Sequence, residues 1–237
     1  MSAKDDITIP LQPNCYFSIF NEGNNSENLF YNSENYRYFL IKLDIYMSEY
    51  FYFYSYCLLP NHFHLLIKVK SGKEILQQAL IDFPTGVRSI KGFQEEDVIT
   101  YIKNPDLLNL KDLANLSLPQ KLTSEKFRRF FLSYAKSINK QQKRKGSLFR
   151  KYFRRKKISS IENIKLTIWD IHRNPIKHNI YKDYKTYKWS SFNKILQNEQ
   201  SKLEKNEVIM WYNNKENYLK FHEKENFENN LDNLILE

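Results

Sequence analysis

The chain has 237 residues, of which 41% are hydrophobic and 16% aromatic; this is enough for one domain with a sizeable core and too apolar for a disordered polypeptide. Lys and Arg number 37 against 27 Asp and Glu, a formal +10 that suits a polyanionic partner, nucleic acid first, and says nothing of the fold. Two cysteines, Cys15 and Cys57, do not make a disulfide scaffold, and no apolar run nears the roughly 18 residues of a membrane span. With no signal-peptide pattern at the start, a cytoplasmic protein with no membrane segment is expected.

In chain order, residues 16–20 form a short β-prone run closed by a polar turn over 21–25. Ser33 reads as an N-cap, after which Phe39, Leu43, Tyr46 and Met47 recur at helical spacing. Residues 51–58 are an aromatic, β-prone stretch, and Pro60-Asn61 turns the chain. Residues 62–69 then alternate: Phe63, Leu65, Ile67 and Val69 point one way, His62, His64, Leu66 and Lys68 the other. Residues 70–122 read as an insertion, with short helices over 76–81 and 95–103. Thr123 or Ser124 opens a strong helix with Phe127, Phe130, Phe131, Tyr134 and Ile138 on one face, ended by Gly146-Ser147.

Residues 148–158 then read as a highly basic strand. Ser159 and Glu162 spell a capping box for a helix that Pro175 is expected to stop near Asn174. Residues 181–192 are aromatic and rich in turn formers. Residues 197–237 read as a small helical appendage anchored by Met210, Trp211, Leu219 and Phe221, beside a main domain over 1–196.

Three features carry chemistry. His62 and His64 sit two apart on a strand, so both imidazoles leave the same face and can converge on a divalent cation; a pair of hydrogen-bonded, partly buried histidines fits that spacing as well. On the helix after Ser160, Ile161, Ile164, Ile168 and Ile171 form a core stripe with His172 beside it as a core histidine. Asn163, Thr167, Asp170 and Asn174 lie opposite, a stripe that is more commonly a solvated surface than a site. Residues 136–157 hold eleven Lys and Arg and no acid, interleaved with Phe149, Tyr152 and Phe153. Cations for phosphates and rings for unstacked bases are what single strands need, which nominates Arg144, Lys145, Phe149, Arg150, Lys151, Tyr152, Arg154, Arg155, Lys156 and Lys157.

Tyr56-Cys57-Leu58-Leu59-Pro60-Asn61-His62-Phe63-His64-Leu65-Leu66 resembles the His-hydrophobic-His signature of the single-tyrosine (HUH) transposases. Ser133-Tyr134 through Asn139 and then Arg144-Lys145-Gly146-Ser147-Leu148-Phe149 resemble the middle segment of the REP-associated branch of that family. Ile171-His172-Arg173-Asn174-Pro175, followed by Trp189-Ser190-Ser191, is similar to its nucleophile helix and the sequel. The resemblance spans about 16–196 in the family's order. It implies an α+β fold, a ferredoxin-like antiparallel sheet with helices on one face. It also implies Mg²⁺ or Mn²⁺ held by His62 and His64 with Asn174 as a third ligand, polarising a phosphate in single-stranded or hairpin DNA for attack by a helix tyrosine.

The position of that tyrosine holds Asp170. An aspartyl phosphate is a mixed anhydride, uphill from a diester and quickly lost to water, so strand transfer by the usual route is expected to fail. Asp170 reads instead as a further metal ligand beside the histidines. The expected protein therefore binds single-stranded or hairpin DNA and is impaired in nicking. An active nuclease using water, Tyr152 or Tyr181 is the alternative, and an RNA-binding protein on a ferredoxin-like sheet is another. Monomer and homodimer both remain open.

Overall fold

The computed structural model describes residues 9–82 and 117–224, together with 96, 99, 100 and 103. The elements run β1 (Tyr16–Glu22), α1 (Ser33–Met47), β2 (Phe51–Leu59), β3 (His62–Val69), α2 (Gly72–Ile81), α3 (Leu118–Gln141), β4 (Arg154–Ile158) and α4 (Ile161–Lys177). A 3₁₀ turn (Tyr184–Thr186) and three short helices follow: α5 (Phe192–Leu196), α6 (Lys205–Trp211) and α7 (Lys215–His222). The sheet order is β2-β3-β1-β4 with every pair antiparallel, the ferredoxin-like arrangement that was expected. Among the described residues no helix is long and apolar enough to cross a membrane.

Strand alternation sorts the side chains into two cores. Phe17, Ile19, Phe51, Phe63, Leu65 and Ile67 face α1 and α3 and join Phe39, Leu43, Phe127, Phe130 and Tyr134. Tyr54, Cys57, Leu59 and Leu66 face the other way, against Ile164, Ile168 and Ile171 of α4 and Val208, Tyr212 and Tyr218 beyond it. Helices on one face thus describe only α1 and α3; α4 and the C-terminal helices fill part of the second face. That burial explains why the polar stripe of α4 is no solvated surface: Thr167, Asp170 and Asn174 are all buried, whereas Ile161, expected in the core, is exposed.

The two sheet edges are managed differently. Leu58 N–H donates to Trp189 O (2.9 Å) and Ser191 N–H to Tyr56 O (2.9 Å), so the Trp189-Ser190-Ser191 segment covers the outer edge of β2. The opposite edge is β4, whose Arg154, Arg155, Lys156 and Lys157 resist pairing with another chain. The basic strand is shorter than the sequence suggests. Leu148 and Phe149 turn into the core, and Phe149 forms only an isolated bridge to Gly23, so the strand starts at Arg154.

Helix ends also shift for local reasons. Asn32, not Ser33, caps α1, its side chain accepting from Asn35 N–H. α3 starts at Leu118, because Ser117 N–H donates to Gln120 Oε1 (2.9 Å) and Pro119 suits the first turn. Ser160 rather than Ser159 caps α4, accepting from Asn163 N–H (3.1 Å). α2 starts at Gly72, four residues before the expected 76, on a capping box between Ser71 and Glu74. Most of the expected 95–103 helix lies outside the described residues.

Pro175 does not stop α4. A proline has no N–H for the carbonyl four residues back, here Ile171 O. The Asn174 side chain partly fills that vacancy, Nδ2 donating to Asp170 O (3.2 Å) and Ile171 O (3.4 Å). The helix ends instead at a left-handed Asn179 (φ 54°), with Asn179 N–H to Ile176 O (2.9 Å) and Ile180 N–H to Pro175 O (2.9 Å), the paired bonds of a Schellman motif.

Candidate metal centre and basic edge

The extra turn of α4 matters because it ends on His178. Asp170, Asn174 and His178 are spaced i, i+4, i+8 along one helix face. The face meets the histidine side of β3, and His62, His64 and His178 present ligand atoms all within 4.8 Å of one another. The His62 ring lies 4.5 Å from that of His178 at 67°, and 5.4 Å from that of His64 at 81°. His178 was not expected from the sequence. Its signal was the polar stripe of α4 continued by one turn, hidden by assigning the helix stop to Pro175.

The surroundings suit a cation. His62 Nδ1 lies 2.8 Å from Asn61 Oδ1; a carbonyl oxygen only accepts, so Nδ1 carries the proton and Nε2 the lone pair. Both histidines of β3 are buried, at 6% and 2% exposure, which leaves them little bulk water as an alternative partner. Asn174 Oδ1 is buried and accepts no hydrogen bond among the described residues, a loss of roughly 1–3 kcal/mol unless something binds it. The carboxyl end of a helix, where His178 sits, favours positive charge. Three imidazoles are a donor set that suits a divalent cation.

Asp170 meets a lysine of its own helix. Its Oδ1 accepts from Lys177 Nζ at 2.7 Å, and the carboxylate is not a member of the three-histidine group. An open pocket of about 510 Å³ adjoins His62 and His178, walled further by Phe20, Glu22, Asn28, Pro60, Asn61 and Ile180; His64, Asn174 and Asp170 all lie outside its lining. Cys57, beside His64 on β2, is fully buried, and burial, followed by the Asp170 charge, pushes its thiol well up, so it stays a neutral packing group. His172 is the core histidine the sequence suggests. It is fully buried, with Nε2 2.7 Å from Ser191 Oγ and Nδ1 3.0 Å from His222 Nε2.

Register divides the basic residues between the two faces. Arg154, Phe20, His64 and Cys57 lie in one cross-strand row, and Lys156 lies level with Ser18 and Leu66. Arg154 and Lys156 therefore share the histidine face, Arg154 lying 5.9 Å over the Phe20 ring, which in turn sits 4.9 Å from His64. Arg150 pairs with Glu22 at 2.8 Å at the edge of the histidine pocket. Arg155 faces the other side, where burial lowers its guanidinium to about 10 and it stacks 4.5 Å over Phe153.

Some nominated residues are structural. Arg144 bonds Asn139 Oδ1 (2.8 Å) and pairs with Glu27, while Asn139 Nδ2 donates to Gly146 O (2.8 Å); together they shape the loop from α3 to β4. Phe149 is 5% exposed and packs with Phe63 and Phe131. Lys157 Nζ donates to Gln12 Oε1 (2.7 Å). Lys145, Arg150, Lys151, Tyr152 and Lys157 are exposed. Tyr181, the other candidate nucleophile, is exposed and packs on Tyr187, outside the lining of the histidine pocket.

No protein-family model and no curated protein sequence matches the chain. One solved structure, a REP-associated tyrosine transposase bound to a REP hairpin, superposes with a TM-score of 0.49 and 14% identity, covering 79% of this chain and 82% of that one.

Proposed function

We propose that this protein binds single-stranded or hairpin DNA at a divalent-metal centre of the HUH type, and that covalent strand transfer has been lost with the nucleophile. The observation that carries this reading is the convergence of His62, His64 and His178 beside an open pocket and a cationic sheet edge. His62, His64 and His178 would hold the metal, with Asn174 Oδ1, one turn before His178, as an oxygen ligand. A metal there supplies Lewis acidity toward a phosphoryl oxygen. The chain's own contribution is positioning: Arg150, Arg154 and Lys156 offer phosphate contacts along the histidine face, and Asn61 fixes the His62 ring.

Asp170 is a poor nucleophile on two counts. Its carboxylate is bound to Lys177, and attack on a diester would expel an alkoxide to give an acyl phosphate that water hydrolyses. The test is incubation with labelled hairpin-bearing single-stranded DNA and Mn²⁺. Retarded DNA without a denaturation-resistant adduct is the expected result. Asp170→Tyr, which also releases Lys177, is expected to yield such an adduct. A covalent adduct formed by the unmodified protein would refute the loss of chemistry, and tighter binding to RNA of matching sequence would refute the DNA reading.

A further inference from the structure

A second groove lies on the other side of the β1–β4 edge, between the outer face of α3 and residues 146–153, with a volume of about 550 Å³. Phe131, Leu132, Phe149, Tyr152 and Phe153 supply its apolar surface, and Arg128, Lys136, Arg150, Lys151 and Arg155 its charge. Among the described residues no acid lines it, although Arg128 pairs with Glu125 and Arg150 with Glu22 beside it, which leaves Lys136 and Lys151 as its main exposed cations. Leu132 and Tyr152 are 55% and 56% exposed, large apolar surfaces in an otherwise basic setting. Phe131 packs against Phe149 at 4.8 Å and Phe153 at 5.5 Å, so the floor is a fixed aromatic layer rather than a loose loop.

We infer that this groove receives an unstacked base of single-stranded DNA, with the flanking phosphates on Lys136 and Lys151. Charge complementarity selects the occupant. An apolar small molecule needs no ring of cations and a protein strand needs acids; a nucleotide brings a ring and a phosphate together. Arg150 belongs to both places: it lines this groove and pairs with Glu22, which lines the histidine pocket. A strand crossing Arg150 therefore has its phosphate track at the histidines and a base anchored one step away. The groove would hold the nucleic acid in register while contributing nothing to chemistry. This rests on the DNA-binding reading above.

The experiment places 2-aminopurine in a single-stranded oligonucleotide and follows its fluorescence during titration with the full chain, with Mn²⁺ present. Stacking in the groove is expected to quench it. Tyr152→Ala and Leu132→Glu alter exposed side chains, so the fold should survive, as circular dichroism will verify. Each is expected to weaken binding by roughly tenfold and to remove the quench, the loss typical of one base stack. The slope of affinity against salt should stay unchanged for Tyr152→Ala, since no phosphate contact is lost. Tight binding with unchanged quenching in both variants would overturn the groove while leaving the metal-centred reading intact. An absence of binding by the unmodified chain would overturn both, and quenching that persists in His62→Ala/His64→Ala would uphold the groove and separate it from the metal.

Discussion

His178→Ala is expected to weaken Mn²⁺ binding by about 100-fold or more, the scale on which metal sites respond even to losses in their outer shell. The effect should match that of His62→Ala or His64→Ala, because the three ligand atoms lie within 4.8 Å of one another. Asp170→Ala should leave the affinity within a few-fold, since its Oδ1 already accepts from Lys177 and the carboxylate is outside the three-histidine group. The ranking separates two arrangements: a site of two histidines and one carboxylate, as the sequence suggests, and a site of three histidines, as the geometry suggests. Isothermal titration with Mn²⁺ and the line shape of its electron paramagnetic resonance read binding directly, independent of any nuclease assay. Equal losses for Asp170→Ala and His62→Ala, with none for His178→Ala, would restore the carboxylate arrangement. A second consequence concerns metal choice: imidazole donors should rank Mn²⁺ above Mg²⁺ by a wide margin, whereas an oxygen-rich site would not.

Periodicity made the sheet legible and non-local pairing hid much of the site. The alternation of β3 put His62 and His64 on the face opposite Phe63 and Leu65, and the structure keeps that division. The face of α3 built on Phe127, Phe130, Tyr134 and Ile138 was equally plain, because one apolar stripe at helical spacing has one interpretation. His178 was missed because a proline is read as a stop, while the rescue of its vacant acceptor by the Asn174 amide is a side-chain event that no propensity encodes. The acid-free stretch over 136–157 carries no counter-charge of its own. Its partners, Glu22 and Glu27, come from more than a hundred residues earlier and meet Arg150 and Arg144 only in the folded chain. The sequence puts Asp170 on the ligand-bearing stripe by position; that its Oδ1 meets Lys177 is decided by packing.

Acidification is expected to undock the C-terminal helices and lower stability steeply between pH 6.5 and pH 5. The cause is a buried relay. His222 Nδ1 lies 2.8 Å from Tyr218 O, so it donates, and its Nε2 must then accept from His172 Nδ1 at 3.0 Å. His172 Nε2 in turn accepts from the Ser191 hydroxyl at 2.7 Å. With Nδ1 of each ring donating, each ring holds one proton, and a second on either would sit in a fully enclosed setting. Burial pushes His222 down to about 3, the Tyr218 carbonyl opposing and the Arg173 and Lys185 charges adding to it; burial and then His222 hold His172 well below its usual value. In the unfolded chain both rings bind protons from about pH 6.5 downward, while the folded chain excludes them. Stability is therefore complete above pH 6.5 and falls as pH drops toward the depressed folded values, by about 1.4 kcal/mol per ring per pH unit. At pH 5 the exclusion of a proton from His222 alone represents roughly 2 kcal/mol, and His172 adds in the same direction, against the 5–15 kcal/mol of a typical domain. His222→Gln keeps a donor and an acceptor near Tyr218 and His172 while removing one titrating group. The slope of melting temperature against pH in this window should then fall by about half, even though the variant starts less stable at pH 7.5. A slope equal to that of the unmodified protein would show that the acid response originates elsewhere.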